Sequence, residues 1–316
     1  MPQLSVIVVN WNVRELLRAC LTSVRRELEV AGLGVPANAE VIVVDNASTD
    51  GSVEMLRTDF PWVRLLANAS NTGFGAASNQ GLDLSGGRLA MFLNPDTELR
   101  PGAIARLLAF MDQREQAGCV GPLLLNPDGS VQPSRRSFPR VSTAFVESTV
   151  LQRYLGGLPL LRSFYRADTS EDQPQQVDWI VGACMLVRRS ALDQVGGFDE
   201  RFFMYSEEMD LCYRLRQAGF EVWFVPDAAV VHHEGASSAQ DLFRRNINFH
   251  ESRYRFFRKH HGAPAAIALR WFVFATFLFQ LAEEAAKFVL QPSKRQMRRE
   301  RVSLYRRILG WYLSAS

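Results

Sequence analysis

Three short stretches carry side chains able to do chemistry. Asn94-Pro95-Asp96 sets a carboxylate in a Pro-restricted turn just past an apolar run, a place from which oxygen ligands hold a divalent cation. By itself the tripeptide is equally a good turn. Val230 to Gly235 puts His232 and His233 directly after another apolar run, and imidazole ligates Mn and related ions. For His233, a surface position at a strand end is the simpler account. The third stretch, Phe203 to Leu211, holds Glu207, Glu208 and Asp210 at the start of a helical pattern. Acids there complement the positive end of the helix dipole, which is reason enough for Glu207 and Asp210; Asp210 also pairs with Arg214 one turn on. Glu208 differs. Leu211, Cys212 and Leu215 follow it at i+3, i+4 and i+7, so it shares their inward stripe. An inward carboxylate is costly without a partner or a task. Partial desolvation raises its pKa towards that of a general base.

The elements that must position these groups alternate along the first half. Leu4 to Val9, Glu40 to Val44, Val63 to Leu66 and Arg88 to Leu93 are short apolar runs. Between them lie helical patterns, the first with Leu16, Leu17, Cys20, Leu21, Val24 and Leu28 on one stripe. Ser48 to Gly51 supplies turn and N-cap chemistry for a second helix, and Asn71-Thr72-Gly73 opens a third running to about Leu84. Continuous apolar strands alternating with helices imply a parallel sheet covered on both faces. Ligands of such sheets bind beyond the carboxyl ends of the strands. Asn10, Asn12, Asp45, Asn46, Asn68 to Asn71, Asn94 and Asp96 all fall there.

Residues 126–176 are rich in Pro, Arg, Ser and Gly. They read as long loops, with one or two short helices around Val141 to Leu155, and loops of that length are often functional lids. Regular structure resumes at Val177 to Val187 and at Phe198 to Val225, and a helix is expected over Ser238 to His260. Ala265 to Ala282 is strongly apolar, but its uninterrupted part is about a dozen residues, short of the ~20 that span a bilayer. An interfacial helix is the preferred reading, ahead of a buried helix and a spanning one. From Lys294 to Arg307, seven basic residues face one acid, Glu300. Such a segment suits a solvated helix face, or anionic headgroups.

A net charge of +3 argues against a general nucleic-acid binder. Cys20, Cys119, Cys184 and Cys212 form no C-x-x-C pair and read as buried free thiols of a reducing compartment. The N-terminal LSVIVVNWN reads as a core strand and not as a signal peptide.

Seven segments in order resemble the family 2 glycosyltransferases of GT-A fold, in particular their bacterial rhamnosyltransferase-like branch. They are VIVVNWN, VIVVDNASTDGS, NTGFGAASNQG, FLNPDTE, WIVGACMLVRR, GGFDERFFMYSEEMDLCYRLRQAGF and VVHHEGAS, covering residue 4 to about 240. The resemblance implies an α/β fold, a Rossmann-like, mostly parallel sheet with helices on both faces and a C-terminal helical extension. It implies a GT-A domain over 1–240 (nucleotide-binding half 1–125, insertion 126–176, acceptor half 177–240) and an extension over 241–316. Asn10, Asn12, Asp45 and Asn46 would line the base and ribose pocket of a nucleoside diphosphate, with Asp45 accepting from a pyrimidine N3–H. Asn71 and Gly73 would sit near the nucleotide or donor sugar, and Asn94 with them. Asp96 would be the surviving ligand of an Asp-x-Asp motif for Mn or Mg, completed by His232. Trp179, Gly182, Asp199 and Glu207 would shape the acceptor and sugar pocket, and Glu208 would be the catalytic base.

Two positions depart from the family pattern. Asn94 replaces the first Asp of the metal motif and leaves fewer anionic ligands. Glu208 replaces an Asp and adds one methylene. The expected reaction is an inverting transfer of a sugar from dTDP-rhamnose or a UDP-sugar to a glycan or lipid-linked acceptor, in the cytoplasm at the inner membrane surface. The rival from another class is a non-catalytic nucleotide-sugar-binding or scaffold protein on a degenerate fold. A sugar nucleotidyltransferase is disfavoured, because Asn10-Trp11-Asn12-Val13 stands where those enzymes carry a Gly-rich basic loop. A dehydrogenase is excluded, because no G-x-G-x-x-G follows the first strand.

Overall fold

The computed structural model describes residues 2–235 and 241–314. In chain order its first elements are β1 (Leu4–Asn10), α1 (Arg14–Val30), β2 (Ala39–Asp45), α2 (Ser52–Asp59), β3 (Arg64–Ala67), α3 (Phe74–Leu84) and β4 (Leu89–Leu93). There follow β5 (Thr97–Leu99), α4 (Ala103–Gln113), β6 (Ala117–Leu125), β7 (Val131–Gln132), β8 (Arg135–Arg136), α5 (Val141–Val146), α6 (Gln152–Leu155) and α7 (Pro159–Phe164). Then come β9 (Gln175–Val177), β10 (Trp179–Ile180), β11 (Cys184–Arg188), α8 (Arg189–Val195), α9 (Glu207–Gln217) and β12 (Glu221–His232). The last are α10 (Leu242–His260), α11 (Ala263–Leu290) and α12 (Arg295–Ser314).

These elements form two compact units: Met1–Phe138 with Tyr165–Ser237, and Pro139–Phe164 with Ser238–Ser316. This differs from the expected division at residue 240. The stretch 126–176 is not one insertion, because its helical middle groups with the C-terminal helices.

The first unit is built on one mixed sheet of order β3-β2-β1-β4-β11-β6-β12-β5, with β7 added to β6 and β9 to β12. β1, β2, β3 and β4 run parallel; β11 runs against β4 and β6, and β5 against β12. The side chains alternate between two apolar layers, as the period of a pleated strand requires. Val6, Val8, Val41, Val43, Met91 and Leu186 join α1, α2 and α4 on one face. Ile7, Phe92, Met185 and Val187 join α8 and α9 on the other. The architecture is the expected mostly parallel α/β sheet. Register brings Asn10 opposite Asp45, so the polar ends of the first strands line up by backbone pairing alone.

The expected loops over 126–176 contain α5 and α6, and also α7 and the short strands β7, β8 and β9. The hairpin between β6 and β7 was written locally. Asn126 N and Ser130 O pair at 2.8 Å, Asp128 Oδ1 accepts from Ser130 N, and Gly129 takes a positive φ of 85°.

In the second unit α11 is a 28-residue helix, longer than the apolar segment expected. It is long and apolar enough to cross a membrane by length and composition. Its buried face is mostly apolar, with Ala266, Leu269, Val273 and Phe277. Thr276 and Glu284 are buried with them, and Nη1 of Arg298 in α12 donates to both Glu284 oxygens, at 2.8 and 2.6 Å. Ile267, Trp271, Leu278, Phe279, Val289 and Leu290 are exposed. The expected helix over Ser238 to His260 is present from Leu242; residues 238–240 lie outside the described residues.

Candidate active site

At the carboxyl ends of β1 and β2 the Asn and Asp side chains form one buried network. Asn10 Nδ2 donates to Asp45 Oδ2 (2.8 Å) and to Ser48 Oγ (3.1 Å). Asp45 Oδ1 accepts from Ser48 N at 2.9 Å. Both oxygens of Asp45 therefore have partners and the residue is 1% exposed, where the sequence reading had it meeting a nucleotide base. In this arrangement it braces the turn after β2. Asn12, at φ 53°, accepts from Thr49 N through Oδ1 at 2.7 Å. Asn46 is the hub of the next layer. Its Nδ2 donates to Asn71 Oδ1 (3.0 Å) and Gly73 O (3.1 Å), while its Oδ1 accepts from Asn68, Thr72 N and Thr72 Oγ1.

Gly73 carries this loop to the next. A Cβ there would stand 2.4 Å from the carbonyl oxygen of Phe203, and its φ is +89°. The same carbonyl accepts from Phe74 N at 2.8 Å. The 68–73 loop is thus seated on the segment that leads into α9. Asp199 lies in that segment, held by Arg201 at 2.8 and 2.5 Å. Tyr205 and Ser206 both adopt left-handed backbone (φ 71° and 64°) just before Glu207. Neither is glycine, so the turn is strained, a feature that collects at functional sites.

Glu207 and Glu208 follow. Glu207 is 6% exposed, which corrects the expectation of an acid explained by helix-dipole complementarity alone. Asp210 is fully buried and pairs with Arg214 Nε at 2.8 Å; the guanidinium also donates to the carbonyls of Val195, Gly196 and Gly197. Burial, with the Glu208 charge beside it, pushes Glu207 well above the usual carboxylate range. Burial raises Glu208 too, but the backbone N–H groups of Glu208, Met209 and Gly182 pull the other way. Among the described residues Glu208 Oε2 is buried without a hydrogen-bond partner. A Cβ on Gly182 would come 3.3 Å from Glu208 Cβ, so the glycine makes room for the acid.

The 182–183 segment joins this helix start to the cation candidate. Asn94 N donates to Ala183 O at 2.9 Å, and β11 continues from there along β4. Asp96 begins the turn into β5, whose Thr97 pairs with His232 of β12. His232 Nε2 thereby stands 3.4 Å from Asp96 Oδ1, both side chains buried. Asp96 Oδ1 receives no hydrogen bond among the described residues. A buried anionic oxygen with no donor, facing an imidazole nitrogen, is a fit for a divalent cation. No group of three or more His, Cys, Asp and Glu able to close a metal site occurs among the described residues. His233 is half-buried and pairs with Glu98 at 2.9 Å, as a strand-end histidine.

Trp179, expected in the acceptor pocket, donates through Nε1 to Ser137 O at 3.0 Å, beside β8. The sequence reading missed Gln132, whose Oε1 is 2.7 Å from His232 Nδ1. Its one local signal was the Asn126-to-Ser130 turn, which announces a hairpin but not its target. The four cysteines are buried free thiols, and burial pushes Cys20 up to about 12.

The family model for Glycosyl transferase family 2 matches residues 5–196. The chain belongs to that family. As a family 2 chain it is 34% identical over 290 residues to the N-acetylglucosaminyl-diphospho-decaprenol L-rhamnosyltransferase of Mycobacterium tuberculosis, covering 88% of this chain and 92% of the relative. It is 32% identical over 161 residues to rhamnosyltransferase WbbL of Escherichia coli, 50% of this chain and 58% of that one. Its fold resembles the mannosyltransferase PcManGT of Pyrobaculum calidifontis, solved with GDP-Man and Mn2+. The TM-score is 0.52 at 18% identity, over 98% of this chain and 87% of that one. Family 2 membership, the rhamnosyltransferase-like branch and the GT-A fold agree with the sequence reading.

Proposed function

We propose that this chain is an inverting rhamnosyltransferase that moves L-rhamnose from a nucleoside-diphosphate donor, dTDP-rhamnose, to a hydroxyl of a lipid-linked glycan in cell-surface polysaccharide synthesis. The observation that carries the reading is the buried Oε2 of Glu208, which accepts no hydrogen bond among the described residues, joined through residues 182–183 to Asp96 and His232. The mycobacterial rhamnosyltransferase supports the choice of sugar and of a lipid diphosphate acceptor.

Glu208 Oε2 takes the proton of the acceptor hydroxyl. The acceptor oxygen forms its bond to C1 of the sugar from the face opposite the diphosphate. The C1–O bond to the diphosphate breaks, and the nucleoside diphosphate leaves with the electron pair. Glu207, raised by burial and by the Glu208 charge, favours its neutral form beside the base. Asp96 and His232 would hold a divalent cation, Mn or Mg, which supplies positive charge for the leaving diphosphate. Asn10, Asn12, Asn46, Asn71, Gly73 and Asn94 shape the donor side, and Gly182, Trp179 and Asp199 the acceptor side. Asp45 supports the donor pocket by holding Asn10 and Ser48 in place.

We also assign the chain to the cytoplasmic face of the membrane. α11 would lie in the interface by its exposed apolar face, with the basic residues of α12 serving anionic headgroups.

The test is radiolabelled transfer with a panel of dTDP- and UDP-sugars onto a polyprenyl-diphosphate glycan, with and without EDTA. Wild type is expected to use dTDP-rhamnose, to give the inverted anomer, and to stop in chelator. A general base contributes ~10²–10⁴-fold, so Glu208→Gln should lose that much kcat while binding donor normally. Near wild-type turnover in Glu208→Gln would refute the base.

A further inference from the structure

We propose that Gln132 fixes the tautomer of His232, and so decides that the nitrogen facing Asp96 carries a lone pair. Gln132 is then a positioning residue; the assignment rests on reading Asp96 and His232 as a cation site.

The argument starts from the two ends of one amide. Gln132 is buried on β7, held against β6 by pairing with Leu124. Its Nε2 lies 3.3 Å from Asn126 Oδ1 and 3.2 Å from Glu234 Oε2. Asn126 spends its own amide N–H on Ser130 Oγ at 2.9 Å, so it turns its oxygen to Gln132. Glu234, as a carboxylate, only accepts. Two acceptors on one side require the NH₂ end of Gln132 to face them. The carbonyl end therefore faces the other way, 2.7 Å from His232 Nδ1. A carbonyl oxygen cannot donate, so Nδ1 carries the proton.

To ligate a cation His232 must be neutral, and a neutral imidazole bears a single ring proton. Nε2 is thus left with its lone pair, 3.4 Å from an oxygen of Asp96 that has no donor among the described residues. Two facing lone pairs in a buried place repel until a cation lies between them. Without Gln132 the proton is free to move to Nε2 and hydrogen-bond Asp96, which would occupy the atom that ligates. Partners that orient a ligating histidine in this way typically change metal affinity ~10–100-fold when removed.

The experiment uses full-length, metal-free protein labelled with 15N at histidine. Two-bond proton–nitrogen correlation reads each tautomer, and a His232→Asn sample assigns the signal. Wild type is expected to show His232 protonated at Nδ1. Gln132→Met, nearly the same size, is expected to shift the proton to Nε2 and to weaken Mn2+ binding, read by electron paramagnetic resonance, ~10–100-fold. Wild-type protein with its proton on Nε2 overturns the proposal, and that reading needs no variant to fold. A folded Gln132→Met protein with unchanged tautomer or unchanged Mn2+ affinity overturns it as well. If wild type shows the Nδ1 proton but binds no Mn2+, the cation reading fails and the tautomer assignment survives.

Discussion

Glu207 and Glu208 share one helix start, and burial raises both carboxyls, Glu207 well above the usual range. The consequence for stability has a definite sign. Glu207 is raised in the folded state by burial and by the Glu208 charge above its unfolded value of about 4.3. The folded form binds this proton more tightly, so its stabilising effect is full below the unfolded pKa and is lost as pH rises through the folded one. Gln at this position has no such dependence. Glu207→Gln should therefore raise Tm relative to wild type more at pH 8 than at pH 5, with each kcal/mol worth about 2–4 °C in a domain of this size. Scanning calorimetry of both proteins at the two pH values checks this; an identical difference at both would show that Glu207 is not protonated in the fold. The inward stripe that singled out Glu208 was readable at i+3, i+4 and i+7. The burial of Glu207 was not, because it depends on what packs around the start of α9.

At the scale of elements, loops that close on one another carry the site. Gly73 admits the Phe203 carbonyl where a Cβ would stand 2.4 Å away, so the loop after β3 packs directly on the loop before α9. Gly32 has a similar φ of +71° but open space around it. Gly32→Ala should lose only the backbone preference, ~1–2 kcal/mol. Gly73→Ala should lose more and should also cut transfer, since Phe203 to Ser206 lead directly into Glu207. Thermal unfolding with initial rates compares the pair; equal losses in both would mean the Gly73–Phe203 contact does not hold the site. The strands of this region were legible because each is a short apolar run ending in Asn or Asp. The seating of one loop on another was not, because no local pattern records which distant carbonyl a glycine admits.

At the scale of the whole chain, the two units differ in what they bury. The first covers its sheet on both faces, whereas α11 in the second buries Glu284 and exposes Trp271, Leu278 and Phe279. On the proposed interfacial reading of those exposed apolar side chains, full-length protein should float with vesicles of anionic phospholipid and be released by alkaline carbonate. Leu278→Glu with Phe279→Glu should abolish flotation without lowering Tm; retention through the carbonate wash would instead mean that α11 spans. Periodicity and strand-end polarity determined the alternating α/β order, the collection of Asn and Asp at the strand ends and the inward stripe that singled out Glu208, since all follow from local spacing along the chain, whereas the pairing of Asp96 with His232 was implied by the family resemblance. The grouping of 139–164 with the C-terminal helices, the meeting of Gln132 with His232 across 100 residues, and the bracing role of Asp45 were decided only by tertiary structure. Each depends on which groups are brought into contact and shut away from water, a property of the packed chain and not of any one segment.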